Sequence, residues 1–205
     1  MPMQWKKLCV VLALTPLLLG MKGLDYSQVT EDQEIKNAIE CMDGTVAEWS
    51  QRVILGDNMS GKPIPISFMD LEQELGEQAK NALAVCVSIP PSRNVYIFVD
   101  EKMRGVPKEA LATILAHETK HASDSFNSKE EETAAFTFEG QVWHDMIQKN
   151  KLVKFNKHFL VQRLNLLESK YVEGGYSAKE IRPIVYAIPG YKGLPKYSPG
   201  FENVR

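Results

Sequence analysis

The chain has 205 residues, enough for one domain with a hydrophobic core and too few for two domains of ordinary size. Hydrophobic residues make up 44% and charged residues 24%, which is the balance of a folded globular protein rather than a disordered one. The formal net charge is −2, and the lysines and arginines are scattered. Because nucleic acids and anionic membranes require a basic surface, the composition predicts no nucleic-acid partner, and membrane contact only through the N-terminus.

The N-terminus has the pattern of a secretory signal peptide. Lys6 and Lys7 precede an apolar stretch at residues 8–20, which is shorter than the roughly 20 residues needed to span a bilayer as a helix. We therefore expect residues 1–23 to be a signal peptide or an uncleaved N-terminal anchor, and residues 24–205 to be the domain. The predicted location is secreted or periplasmic, with membrane anchoring as the alternative.

Cysteine usage leaves two possibilities open. Removal of a signal peptide would remove Cys9 and leave Cys41 and Cys86. In an oxidising compartment these two residues form either one disulfide or two buried thiols. Their spacing does not match a structural zinc site, which needs closely paired cysteines.

The first half of the domain is predicted to combine helix and strand. Residues 31–55 carry apolar side chains at three- and four-residue steps, which is typical of an amphipathic helix. Residues 56–67 are rich in turn formers and predict a loop, and residues 70–82 a short helix or an irregular segment. Residues 83–88 and 95–100 are β-branched and aromatic, and the intervening prolines make a hairpin the simplest interpretation.

The second half is predicted to be helical. Pro107 suits the first position of a helix over residues 107–123. A second helix should start at Ser128, because Ser128 and Glu131 match a capping box, and continue to residue 149. Residues 154–172 carry another helical stripe, and the tail from residue 188 is rich in proline and glycine. The predicted fold is a mostly helical α+β single domain with a small sheet or hairpin before the central helix.

The central predicted helix contains the motif His117-Glu118-Thr119-Lys120-His121, the H-E-x-x-H pattern. Residues four apart lie on one helical face, so His117 and His121 can bind one metal ion. Glu118 is then placed to accept a proton from water that zinc has acidified. The apolar run ALATILA before the motif argues against a solvent-exposed helix in which two histidines have no function.

A catalytic zinc usually has three protein ligands. In metzincins a glycine follows the second motif histidine by three residues and a third histidine follows it by six. Here the corresponding positions after His121 hold Asp124 and Asn127. The metzincin family is therefore excluded. Candidates for the third ligand lie in the following helix, within SKEEETAAFTFEGQVW. Asp124 itself either orients a ligating histidine, caps the helix end or faces solvent.

The strand, the H-E-x-x-H helix and a second helix carrying E-x-x-A resemble the gluzincins, and more narrowly the small one-domain minigluzincins. This resemblance covers roughly residues 95–143, and it implies a zincin-like fold with the E-x-x-A glutamate as third ligand. Glu131 with Ala134 and Glu132 with Ala135 both fit. Glu132 is preferred because the residues that follow it, Ala135-Phe136 and then Phe138 and Glu139, are closer to the family pattern. Glu131, in addition, is the capping-box residue.

The resemblance further implies an oxyanion-stabilising side chain and a substrate-binding edge strand. Candidates for the oxyanion role are Tyr171, Tyr176, Tyr186 and His144. The strand at residues 95–100 is the candidate edge strand, which would bind an extended peptide by adding it to the sheet.

The sequence therefore predicts a zinc metallopeptidase that acts on a peptide or protein substrate. Its metal ligands are His117, His121 and Glu132, and Glu118 is the general base. One alternative is an exported zinc-binding protein without proteolytic activity, its cleft covered by the C-terminal tail with Tyr191 and Tyr197. Another is a hydrolase of a non-peptide amide such as a cell-wall cross-link. A structural protein with a fortuitous motif is a further alternative, and the pattern does not predict an oligomeric state.

Overall fold

A computed structural model describes residues 25–58, 60–89, 94–123 and 127–198. The fold is α+β and mostly helical, as the sequence predicts. The elements in chain order are α1 (Gln33–Glu40), α2 (Glu48–Ile54), β1 (Ile66–Met69), α3 (Leu71–Leu75), β2 (Ala84–Ile89), β3 (Asn94–Asp100), α4 (Lys108–Ser123), α5 (Lys129–Lys149), α6 (Phe159–Glu173) and α7 (Arg182–Ala187). The predicted signal peptide lies outside the described residues, among which no helix is long and apolar enough to cross a bilayer.

The three strands form one mixed sheet in the order β1-β3-β2. β2 and β3 pair antiparallel with Cys86 opposite Ile97, which confirms the predicted hairpin. β1 pairs parallel with β3, Ile66 opposite Ile97. β3 is therefore the central strand, and the prediction that it is the substrate-binding edge strand is wrong. In the described part of the chain, β1 and β2 are the two edge strands of this sheet.

β1 was not predicted, because Pro63 and Pro65 made its surroundings look like a loop. Both prolines precede the strand, where their missing N–H groups cost no ladder hydrogen bond. The carbonyl of Pro65 accepts a hydrogen bond from Ile97 at 3.0 Å, and the amide of Ile66 donates to Val29 at 2.7 Å. Long-range pairing therefore sets the strand where local composition favours a turn.

The predicted helix at residues 31–55 is two helices rather than one. α1 ends at Glu40 and α2 begins at Glu48, and Gly44 has a φ of +63° in the turn between them. The Asp145 side chain of α5 accepts a hydrogen bond from the amide of Val46 at 3.0 Å. This tertiary contact stabilises the turn, while Met42 within it remains fully buried. The apolar spacing across residues 31–55 therefore reflects one buried face carried by two elements.

α4 lies at the centre of the core. Every residue from Ala110 to Thr119 is buried, so this helix is covered on all sides. It packs against the sheet and against α1, α2 and α5. A second apolar cluster joins α5, α6 and α7 through Phe136, Leu167, Tyr171, Ile181 and Val185. The main core cluster holds α4 and α5 side by side, and the second cluster packs α6 and α7 against α5.

Cys41 and Cys86 are free thiols, which decides between the two possibilities left open by the sequence. Cys41 follows α1, and its sulfur lies 3.6 Å from the carbonyl oxygen of Lys108. Cys86 is on β2. Burial raises the pKa of both thiols to about 12, so neither is a thiolate at neutral pH.

Candidate metal centre

α4 carries both histidines of the motif at its C-terminal half. His117 and Glu118 are each 7% exposed, and His121 is partly exposed. The apolar residues that precede them pack into the core and fix the rotation of the helix. The two imidazoles consequently lie on one face, with His117 Nε2 3.2 Å from His121 Nε2.

α5 supplies the glutamates from its first turn. Ser128 is the N-cap, and its hydroxyl accepts a hydrogen bond from the amide of Glu131 at 3.2 Å. The two preceding amides of this first turn donate hydrogen bonds to the C-terminal tail. The amide of Lys129 donates to the carbonyl of Pro195 at 2.9 Å, and the amide of Glu130 donates to the carbonyl of Lys196 at 3.1 Å. This first turn is therefore fixed by its N-cap and by the tail.

Glu132 completes a three-residue cluster with the histidines. One ligand atom from each of His117, His121 and Glu132 lies within 4.8 Å of the others. Glu132 Oε2 is 3.9 Å from His117 Nε2 and 3.8 Å from His121 Nε2. Ligand atoms about 2.0–2.1 Å from a tetrahedral zinc ion lie about 3.3 Å apart. The cluster is therefore close to the size that a bound ion requires.

The other ring nitrogen of each histidine is held by a carboxylate. His117 Nδ1 lies 2.9 Å from Glu139 Oε2, and His121 Nδ1 lies 3.2 Å from Glu131 Oε1. Arg163 of α6 donates to both oxygens of Glu139, at 2.6 and 3.2 Å. A carboxylate can only accept, so each Nδ1 donates its proton, and in the neutral tautomer Nε2 then carries the lone pair that can bind a metal ion. Ligating histidines usually have this arrangement.

Glu131 therefore has a different position from the one that its capping-box spacing predicts. Its amide does bond to Ser128, but its carboxylate contacts His121, and the remaining oxygen, Oε2, has no hydrogen-bond partner. The neighbouring Glu130 accepts hydrogen bonds from Arg182 and Tyr186 instead.

The charges and unpaired atoms of the cluster fit a cation. Glu132 Oε2, which faces both Nε2 atoms, is buried without a hydrogen-bond partner. A buried oxygen of this kind is costly unless something binds it. Burial opposes protonation of His121, but its hydrogen bond with Glu131 and the charges of Glu118 and Glu132 outweigh burial and raise its pKa to about 9. The surroundings thus stabilise positive charge at the point where the three ligand atoms meet.

Glu118 lines a cavity of about 810 Å³ together with the three predicted ligands. Burial raises the pKa of its carboxyl, although His117 and His121 act in the opposite direction. β2 lines the same cavity through Ala84, Val85, Cys86 and Ser88. The predicted base and the free edge of the sheet therefore face one space.

Tyr191 is the tyrosine that the structure brings to this cavity. Burial, the charge of Glu132 and a hydrogen bond with it raise the pKa of the Tyr191 hydroxyl. The other predicted candidates are not among the residues lining the cavity. His144 pairs with Glu168 and packs against the rings of Tyr171 and Tyr176, and Tyr186 donates to Glu130. Asp124 lies outside the described residues.

The chain matches no protein-family model, no curated protein and no solved structure. What the site can do therefore follows from its own side chains: two imidazole nitrogens and a carboxylate oxygen that could hold a metal ion, beside a buried carboxylate in an open cavity. Imidazole and carboxylate donors suit several divalent ions, zinc among them.

Glu139 and Arg163 were missed at the sequence level. Glu139 follows Glu132 by seven residues, two helical turns, so both lie on the same face of α5. That spacing is the signal that would have identified it. Arg163 carries no such signal, because it is on another helix and only tertiary packing brings it to Glu139.

We expect Glu139→Gln to weaken metal binding about 10- to 100-fold, because the amide removes the charge that orients and polarises the His117 ring. Competition with a chromophoric chelator measures the affinity. Glu168→Gln is the matched control, since Glu168 pairs with His144 at 2.7 Å away from the cavity. Unchanged affinity in a Glu139→Gln protein with a wild-type circular dichroism spectrum would contradict the assigned role.

Proposed function

We propose that this protein is a zinc-dependent peptidase. The observation that carries the proposal is the convergence of His117 Nε2, His121 Nε2 and Glu132 Oε2 in a cavity that Glu118 also lines. Glu139 and Glu131 contact the other ring nitrogens of His117 and His121, which orients both imidazoles toward Glu132.

A zinc ion held by these three residues would supply Lewis acidity, which lowers the pKa of water and polarises a carbonyl group. Glu118 takes the proton as water attacks the carbonyl carbon, and then delivers that proton to the leaving amine. Burial raises the pKa of Glu118, and a raised pKa favours return of the proton to the leaving amine.

The free edge of β2 supports an extended peptide as substrate. Backbone amides and carbonyls along an unpaired edge can add a further strand, and β2 lines the cavity from Ala84 to Ser88. A peptide bound along this edge would pass beside Glu118 and the histidines. The strand that serves this role is β2 rather than β3, because β3 is paired on both sides.

The test is cleavage of a library of unstructured peptides by the zinc-loaded full chain, followed by mass spectrometry of the products. We expect products with new amino and carboxyl termini, which should no longer form after treatment with a chelator and should form again when zinc is added back. Cleavage that persists in the metal-free protein would contradict the proposal.

A second candidate function is metal binding without turnover. It is favoured by Tyr191, which extends from the C-terminal tail into the cavity and hydrogen-bonds to the predicted ligand Glu132. Stoichiometric zinc with no cleavage of any peptide, nor of a non-peptide amide such as a cell-wall cross-link, would favour this candidate.

A further inference from the structure

The segment of residues 151–159, between α5 and the start of α6, exposes large apolar side chains. Leu152 is 78% exposed, Phe155 69% and Phe159 53%. Leu152 and Phe155 are the two most exposed large hydrophobic residues of the described chain. Scattered apolar side chains are normal on a protein surface, but three within one short segment indicate an interaction surface.

The same segment is basic. Lys151, Lys154 and Lys157 are exposed and form no ion pair with the described residues, and residues 149–159 contain no aspartate or glutamate. The nearest acidic contact is Glu109, which accepts a hydrogen bond from Asn150 at 2.9 Å. The Lys154 ammonium lies 5.1 Å from the centre of the Phe155 ring. Cationic and apolar side chains thus alternate along this exposed segment.

The entry of the chain into the domain is close to this segment. Tyr26 is the second described residue. Burial raises the pKa of its hydroxyl, and the negative charges of Glu40 and Asp43 also raise it. The backbone carbonyl of Asp43 accepts a hydrogen bond from Lys149, two residues before the segment. The first described residues therefore lie on the side of the domain where α5 ends and the segment begins.

We propose that residues 151–159 dock onto an anionic lipid surface. Leu152, Phe155 and Phe159 enter the boundary between headgroups and acyl chains, and the lysines contact lipid phosphates. This inference departs from the expectation drawn from composition, which limited membrane contact to the N-terminus. Net charge averages over the whole surface, whereas electrostatic attraction to a membrane decays within a Debye length. Membrane attraction therefore depends on the local cluster of lysines rather than on the net charge of the chain. The proposal is independent of the peptidase function.

The test is hydrogen exchange, measured by mass spectrometry on the full chain with vesicles of phosphatidylcholine alone or of phosphatidylcholine and phosphatidylglycerol in equal parts. This local readout separates docking of the segment from any attachment through residues 1–23. We expect the amides of residues 151–159 to exchange more slowly only with the anionic vesicles. Each lysine contributes about a fivefold gain in lipid affinity, so K151Q/K154Q/K157Q should bind the anionic vesicles about 100-fold more weakly and lose that protection.

L152S/F155S should lose the protection while keeping all three lysines, and K62Q/K179Q/K192Q, which removes the same charge elsewhere on the surface, should retain it. Exchange of α4 amides reports that each variant is folded. The proposal is overturned by equal protection with both vesicle types, which would show that anionic lipid is not what binds. It is also overturned by no protection with either type, as expected if the segment binds an acidic protein, or by equal loss in the control.

Discussion

The Glu118→Gln variant is expected to bind zinc like the wild type and to cleave peptides about 10²- to 10⁴-fold more slowly. Glutamine has nearly the same volume as glutamate but cannot accept and return a proton. Because Glu118 is not one of the three residues whose atoms converge, its replacement should leave metal content unchanged. Metal analysis and peptide cleavage on the same preparation measure both properties.

Glu109→Gln is the matched control for this variant, since Glu109 also lies on α4 but contacts Asn150 away from the cavity. It should retain both zinc and activity. Wild-type cleavage by Glu118→Gln would show that another group is the base. Loss of zinc from the variant would place Glu118 among the metal ligands and would contradict its assignment as the base.

The second large effect is expected for the two neighbouring glutamates of α5. Glu132→Ala should lower zinc affinity by more than about 100-fold, because it removes one of three donors. Glu131→Ala should lower affinity only about 10- to 100-fold, because Glu131 acts through the ring of His121. Mass spectrometric metal content of protein purified without added zinc, with His117→Ala as the reference for a lost ligand, separates the two effects.

The reverse order, with Glu131→Ala the more damaging, would make Glu131 the third ligand. Wild-type protein that holds no zinc even after zinc is supplied would remove the basis of the peptidase proposal. The buried histidines and glutamates would then have only a structural role, as hydrogen-bonded pairs within a folded domain. The lipid-docking proposal would stand, because residues 151–159 do not contribute to the metal cluster.

Much of the fold could be read from local patterns. The helix predicted at residues 128–149 agrees with α5 because Ser128 accepts from an amide of the first turn, a contact that sequence spacing specifies by itself. The β2–β3 hairpin follows from two β-branched runs close together in the chain. The break between α1 and α2 does not follow from local sequence, because the residue that stabilises it, Asp145, is 99 positions away from Val46 in the chain.

The candidate site also combines features that the sequence predicts with features that depend on tertiary structure. Helical periodicity determines that His117 and His121 share a face, so the pair follows from five residues of sequence. The preference for Glu132 over Glu131 was drawn from a resemblance, and the structure places Glu132 Oε2 toward both Nε2 atoms and Glu131 toward Nδ1. Which of the two glutamates binds metal stays a prediction until zinc content is measured.

The sequence by itself determined the helical framework, the hairpin and the spacing of the two histidines, because each depends on hydrogen bonds and periodicities that span a few residues. The tertiary structure alone decided that β2 is an edge strand beside the cavity, that Arg163 pairs with Glu139 and that Tyr191 enters the cavity. Those contacts join elements far apart in the chain, and their geometry is set by how α4 packs between the sheet and α5, which no local pattern contains.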